Sequence, residues 1–404
     1  QRFLLRMRHD GLSASHERQL TTGHRMEETV IEGASASDGQ KYHKDRKIQW
    51  YRCKIDPALM KELMQRSDLQ GFRQALGHLG LALATGTLAY LLFLEINSAT
   101  WFWSVPLLLL ALFAHGTVCT FMGGAACHEL MHRTSFKTRA FNEFFLRVFA
   151  FFGWWDHIWF RPSHIRHHQA TVHDDYDGEV VLPGTLALQD WRFWLGLLAW
   201  NPGPTWDALK HYARRATGHM DNEWYEFVLP ANNATLRGEH RNWARFALLG
   251  HATLAALSIA TGHWFLIVLI NGRFYCNWLG FLCGAPQHFG LSPNTPDFRL
   301  CCRTYITRGL PAFLYWNMQY HIEHHMFPAV PFFNLAKLRA AISHDLPPAP
   351  QGLKDTWKEM LQIRRKQLAD PGYVAIPALP DLADDVKGGR AEDELLESEA
   401  ARVG

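Results

Sequence analysis

The chain has 404 residues and a net charge of +3, too little and too evenly spread to argue for a nucleic-acid partner. Hydrophobic residues make up 48%, including 16 Trp and 26 Phe, while mean hydropathy stays slightly below zero. That combination disfavours a string of soluble domains and fits long apolar segments separated by large polar parts.

Residues 1–45 are polar and lack hydrophobic periodicity, so they are expected to be disordered. Order is expected from about Trp50. Asp56-Pro57 is a helix entry, a capping carboxylate followed by proline in the first turn, with a short helix over residues 57–66. Four apolar segments then have the composition of membrane spans, which need about 20 helical residues: 76–94, 102–122, 246–260 and 264–282. The third must borrow flanking residues. They pair into two hairpins whose links, 95–101 and 261–263, contain no Lys or Arg. By the positive-inside rule both links face outward, and both termini are cytoplasmic. Two aromatic stretches, 141–160 and 191–200, are expected along the membrane surface because tryptophan favours that interface. The acidic, Gly- and Ala-rich tail, 370–404, is expected to be disordered.

Histidine is concentrated in three places, all on the expected cytoplasmic side. Residues 128–133 read HELMHR, 164–168 read HIRHH, and 321–325 read HIEHH. Spacings of i, i+3 and i+4 bring side chains to one helix face. Eight imidazoles therefore arrive pre-grouped: His128, His132, His164, His167, His168, His321, His324 and His325. This is a way to hold more than one metal ion. Imidazole suits Zn, Cu, Fe and Ni, so the ligands do not choose the metal. The expected fold is mostly α: two transmembrane hairpins carrying a cytoplasmic helical cap that holds the metal site.

Ligating imidazoles usually donate their second N–H to a carboxylate or carbonyl. Glu129 and Glu323, inside boxes, are the leading partners, with Asp156 next. Asp174, Asp175, Asp177 and Glu179 read as ordinary solvated charges. Asn271, Arg273 and Asn277 are polar positions in the last span and candidates for a substrate channel, since an intramembrane charge points to function. The seven cysteines show no CxxC pair or zinc-knuckle spacing and read as reduced and structural.

Residues 320–328, YHIEHHMFP, and the HELMHR box resemble the membrane-bound fatty acid desaturase and hydroxylase superfamily, over about residues 50–344. Within it the chain looks closest to a bacterial branch that includes dihydrorhizobitoxine desaturase. The resemblance implies two non-haem irons, O2 as co-substrate, and a desaturase-like domain over 46–369. It also implies a ninth ligand after the last span, for which His288 is the candidate. Animal stearoyl desaturases place an Asn four residues before that histidine; here the position is Gly284. No His-Pro-Gly-Gly cytochrome b5 motif is present, so electrons are expected from a separate ferredoxin, or from cytochrome b5 with its reductase. The implied reaction is desaturation of a fatty acyl or related lipid chain. Hydroxylation and alkene-forming decarboxylation are the alternatives on the same scaffold. His128-Glu129-x-x-His132 also matches an intramembrane zinc protease, a reading that leaves six clustered histidines without a role. A metal transporter would place its ligands within the spans.

Overall fold

The computed structural model describes residues 42–43 and 47–380, apart from positions 183, 185, 187 and 201. The expected polar segment 1–45 lies outside these residues except for Tyr42 and His43, and the expected tail 370–404 does so from 381 onward. The first part of that tail lies against the body: the Ala375 N–H donates to the Gly290 carbonyl at 2.7 Å, and Tyr373 and Ala375 pack on an apolar cluster with Met360 and Ile363.

The described residues are helical and contain no strand, only three isolated bridges. Asp56 caps α1 (Pro57–Leu63), accepting from the Leu59 N–H. Ser67 caps α2 (Asp68–Leu94) through the Gln70 N–H. At 1.5 Å per residue, a helix of 27 residues reaches roughly 40 Å, more than a hydrocarbon core requires. A short loop then returns the chain into α3 (Trp101–Cys119), which packs along α2. The same rod continues through a π-helical turn (Met122–Ala126) into α4 (Cys127–Met131). The helical path therefore runs from Trp101 to Met131 and delivers the first histidine box at its end.

Next come α5 (Arg139–Phe152) and α6 (His157–Ala170). The turn between them approaches the π turn backbone to backbone. A Cβ on Gly153 would sit 2.6 Å from the Gly123 nitrogen, and one on Gly123 would meet Trp155 at 2.9 Å. Two glycines are thus what lets box one and the helix of box two lie side by side. Short helices α7 (Trp191–Leu198), α8 (Pro202–Ala216) and α9 (Glu223–Val228) lead to α10 (Ala234–Ala260).

Three helices are long and apolar enough to cross a membrane: α2, the α3–α4 rod and α10. The third is longer than the sequence suggests because polar residues 234–245 extend it. The expected fourth helix is broken. It comprises α11 (Leu266–Ile270), a 3-10 turn (Gly272–Phe274) and α12 (Trp278–Gly284). Tyr275 between them is extended, and Cys276 has φ of 56°. Apolar composition alone could not reveal this, because the break is held by partners from distant elements, to its backbone and to its Asn side chains. The Cys276 N–H donates to the Ala199 carbonyl, Trp154 Nε1 donates to Asn271 Oδ1, and Thr120 donates to Asn277 Oδ1.

The two aromatic stretches also part company. Trp154 stacks on His251 and Trp159 on Tyr225, so the tryptophan end of the first stretch packs against the protein, while Phe144 is exposed. Trp191, Leu195 and Trp200 of the second stretch are exposed, with Trp206 beyond them. The remaining helices are α13 (Phe298–Cys301), α14 (Leu310–Leu314), α15 (His321–Met326), α16 (Leu335–Ile342) and α17 (Gly352–Ala369).

Candidate metal centre

The three boxes sit at the end of α4 and on α6 and α15, and His288 follows a 3-10 turn (Ala285–Gln287). These elements meet so that imidazoles gather in two groups. His128, His132, His164, His168 and His324 form one, and His288, His321 and His325 form another together with Cys302. Within each group one donor atom per residue lies within 4.8 Å of all the others. His167 groups with His164 and Glu179, and its ring also lies against those of His288 and His325, at 5.1 and 4.9 Å between centroids. Each histidine expected at the site is therefore in the cluster.

Six of the nine rings have a partner on the outer nitrogen, while Nδ1 of His168 and of His324 is buried without one. His128 Nδ1 meets Glu129 at 2.9 Å, His164 Nδ1 meets Glu179 at 2.7 Å, and His167 Nδ1 meets Asp177 at 2.7 Å. His288 Nδ1 donates to the Cys301 carbonyl at 2.8 Å. His325 Nδ1 meets Thr171 Oγ1 at 3.1 Å, and since that hydroxyl donates to the His167 carbonyl, it accepts from the imidazole. The Gln287 carboxamide nitrogen, a donor, lies 3.2 Å from His321 Nδ1, which accepts from it.

Anchoring one nitrogen as N–H leaves the other a lone pair. Nε2 of His128, His132, His324 and His325 is buried with no hydrogen-bond partner. His164 Nε2 faces His168 Nε2 at 3.0 Å, and His288 Nε2 faces His321 Nε2 at 2.9 Å. Buried polar atoms left without partners are costly, and converging lone pairs are what a cation relieves. The donor set fits two metal ions held by imidazole.

Electrostatics agree. Burial, reinforced by neighbouring imidazoles, leaves His164, His168, His321 and His325 far below the ordinary histidine value. Burial takes His288 and His324 down to about 3. These side chains are neutral at neutral pH, the form that binds metal. His167 is the exception: against the opposing effect of burial, Asp177 holds it above its ordinary value.

Two of the carboxylates favoured from sequence are engaged elsewhere. Glu323 binds Arg339 and accepts from Thr304, which locks α15 instead of orienting an imidazole of its own box. Asp156 caps α6 through the Trp159 N–H and pairs with His240 and Arg215. Their places are taken by Asp177 and Glu179, which read as solvated charges in sequence but are buried beside the second box. A loop folds back to bring them there. Asp177 also accepts from the Val172 and Glu179 N–H groups. Glu179 accepts from Ser163, which in turn accepts from Trp224 Nε1. Gly178 permits this crossing, since a Cβ there would lie 2.5 Å from the Trp224 ring. The signal available in sequence was an Asp-x-Glu pair within one loop of a histidine box. In the broken segment, Asn271 and Asn277 spend their amide groups on Trp154, Thr120 and Arg273, so these channel candidates serve internal bonding.

A comparison with curated proteins finds no match. The model of the fatty acid desaturase family matches residues 99–357, a stretch holding all nine histidines and most of the described fold. The chain belongs to the fatty acid desaturase family and is a membrane oxidoreductase.

Proposed function

We propose that the protein desaturates an aliphatic chain, a fatty acyl group or related lipid, with O2 as co-substrate and electrons from an external donor, a ferredoxin or cytochrome b5 with its reductase. The observation that carries this reading is the convergence of nine imidazoles, seven of them buried, in a member of this family. Two irons would be held by His128, His132, His164, His168 and His324 on one side and by His167, His288, His321 and His325 on the other. Bound there, they would supply the O2-activating power needed to remove hydrogen from an unactivated C–H bond.

The chain's own residues do the positioning. Glu129, Glu179, Asp177 and the Cys301 carbonyl fix which nitrogen of His128, His164, His167 and His288 carries the proton and which faces inward. Burial keeps water from the reacting centre and keeps the imidazoles neutral. The HIEHHMFP sequence of the third box favours desaturation over hydroxylation. Family membership leaves the zinc-protease reading of His128 to His132 without support.

The proposed topology has four crossings, the fourth discontinuous, with termini and metal centre cytoplasmic. Reporters fused after Ser98 and Gly262 should both read outside, and a cytoplasmic signal from either reverses it. The activity test is expression in a bacterial host with mass spectrometry of total lipids, free acids and volatiles, against a His324→Ala control. A new double bond absent from the control is expected. An alcohol or a shortened terminal alkene as sole product overturns desaturation.

A further inference from the structure

The second histidine group contains a residue that the sequence places among structural cysteines. Cys302 Sγ lies within 4.8 Å of donor nitrogens of His288, His321 and His325. The residue is 1% exposed, and its thiol makes a weak 3.9 Å approach to Cys301 Sγ. Among the described residues, it is the cysteine that shares a group with imidazoles. In that group, His325 Nε2 is itself buried without a partner.

The placement is built from both sides. Cys302 is extended, and its N–H is held by the Phe298 carbonyl. The next residue, Arg303, donates its N–H to the Gln287 carbonyl at 2.8 Å, pinning the chain beside the turn that carries His288. Thr304 Oγ1 accepts from the Ile322 N–H and donates to Glu323, pinning it beside the third box. The sulfur therefore has a fixed seat between the two elements that supply the imidazoles. Donor counts point the same way. The first group has five imidazoles, and the second has three, or four with His167.

We propose that Cys302 is a thiolate donor to the second metal, completing five protein donors on each side. The inference rests on the two-metal reading above. Coordination replaces the S–H bond with a sulfur–metal bond and releases the proton to solvent, as metal binding to cysteine does in general. No electron is transferred. The consequence is an unequal pair: one metal among neutral imidazoles, the other with a soft, negatively charged ligand.

The test uses the full-length protein in detergent, loaded with cobalt(II) and analysed for metal content. Wild type and Cys301→Ser are expected to show a sulfur-to-cobalt charge-transfer band in the near ultraviolet. Cys302→Ser should lose the band while retaining about two metals per chain. A wild-type protein holding two cobalt ions without that band overturns the proposal, whatever the folding of the variants. So does a band that persists in Cys302→Ser or Cys302→Ala. A wild type that binds no metal removes the two-metal reading itself, a result distinguishable from the others by metal content alone.

Discussion

In the first histidine group, His128 and His164 present Nδ1 to buried carboxylates, Glu129 and Glu179. In the second, His288 and His325 present theirs to a carbonyl and a hydroxyl, and His321 Nδ1 accepts from the Gln287 carboxamide nitrogen. His167, with Asp177 behind it, touches both. Hydrogen bonds to ionised acceptors are about twice as strong as neutral ones. In the first set two rings are held by carboxylates, Glu129 and Glu179, whose pKa burial pushes up to about 7, and in the second the rings are held by neutral groups. The same residue type, gathered in one place, is oriented by two different chemistries.

The largest effects come from removing the rings themselves. His132→Ala or His324→Ala, in the first group, and His321→Ala, in the second, should each abolish activity and lower iron from about two per chain to about one or fewer. His211→Ala, a half-exposed side chain paired with Asp221, should keep its iron. Metal analysis of purified protein decides this. Full iron in His324→Ala would dissolve the comparison, because the groups would then not be metal sites.

What the sequence shows of this site follows from what is local. The boxes are legible because i, i+3 and i+4 spacing becomes a shared helix face within one turn of α4, α6 or α15. Two spans are legible because α2 and the α3–α4 rod are continuous apolar helices. The orienting groups are less so. Asp177 and Glu179 reach box two only because a loop folds back over Trp224. The partner of His288 is a main-chain carbonyl, and every residue has one. The break in the fourth apolar segment escapes composition for a similar reason. The acceptor for the Cys276 N–H is a carbonyl on residue 199, 77 positions away by the difference of the two residue numbers.

The contrast between carboxylate and neutral anchoring yields a graded test. Glu179→Gln and Asp177→Asn keep shape but remove the carboxylate behind His164 and His167. Each should weaken metal binding roughly 10–100-fold, the usual cost of losing such a partner. Thr171→Val keeps the volume of a β-branched side chain and removes the hydroxyl that accepts from His325 Nδ1. A neutral hydrogen bond is worth about 1 kcal/mol net, so affinity should fall only about fivefold. Thr171→Ser should recover most of that loss, since it restores the oxygen. Competition against a chelator over a series of free-metal concentrations measures all four variants on one scale. If Thr171→Val cost as much as Glu179→Gln, the carboxylate would not distinguish the two groups. The second would then be held as firmly as the first, by the Cys301 carbonyl, Gln287 and Thr171 acting as one network in which losing a single member releases the rest.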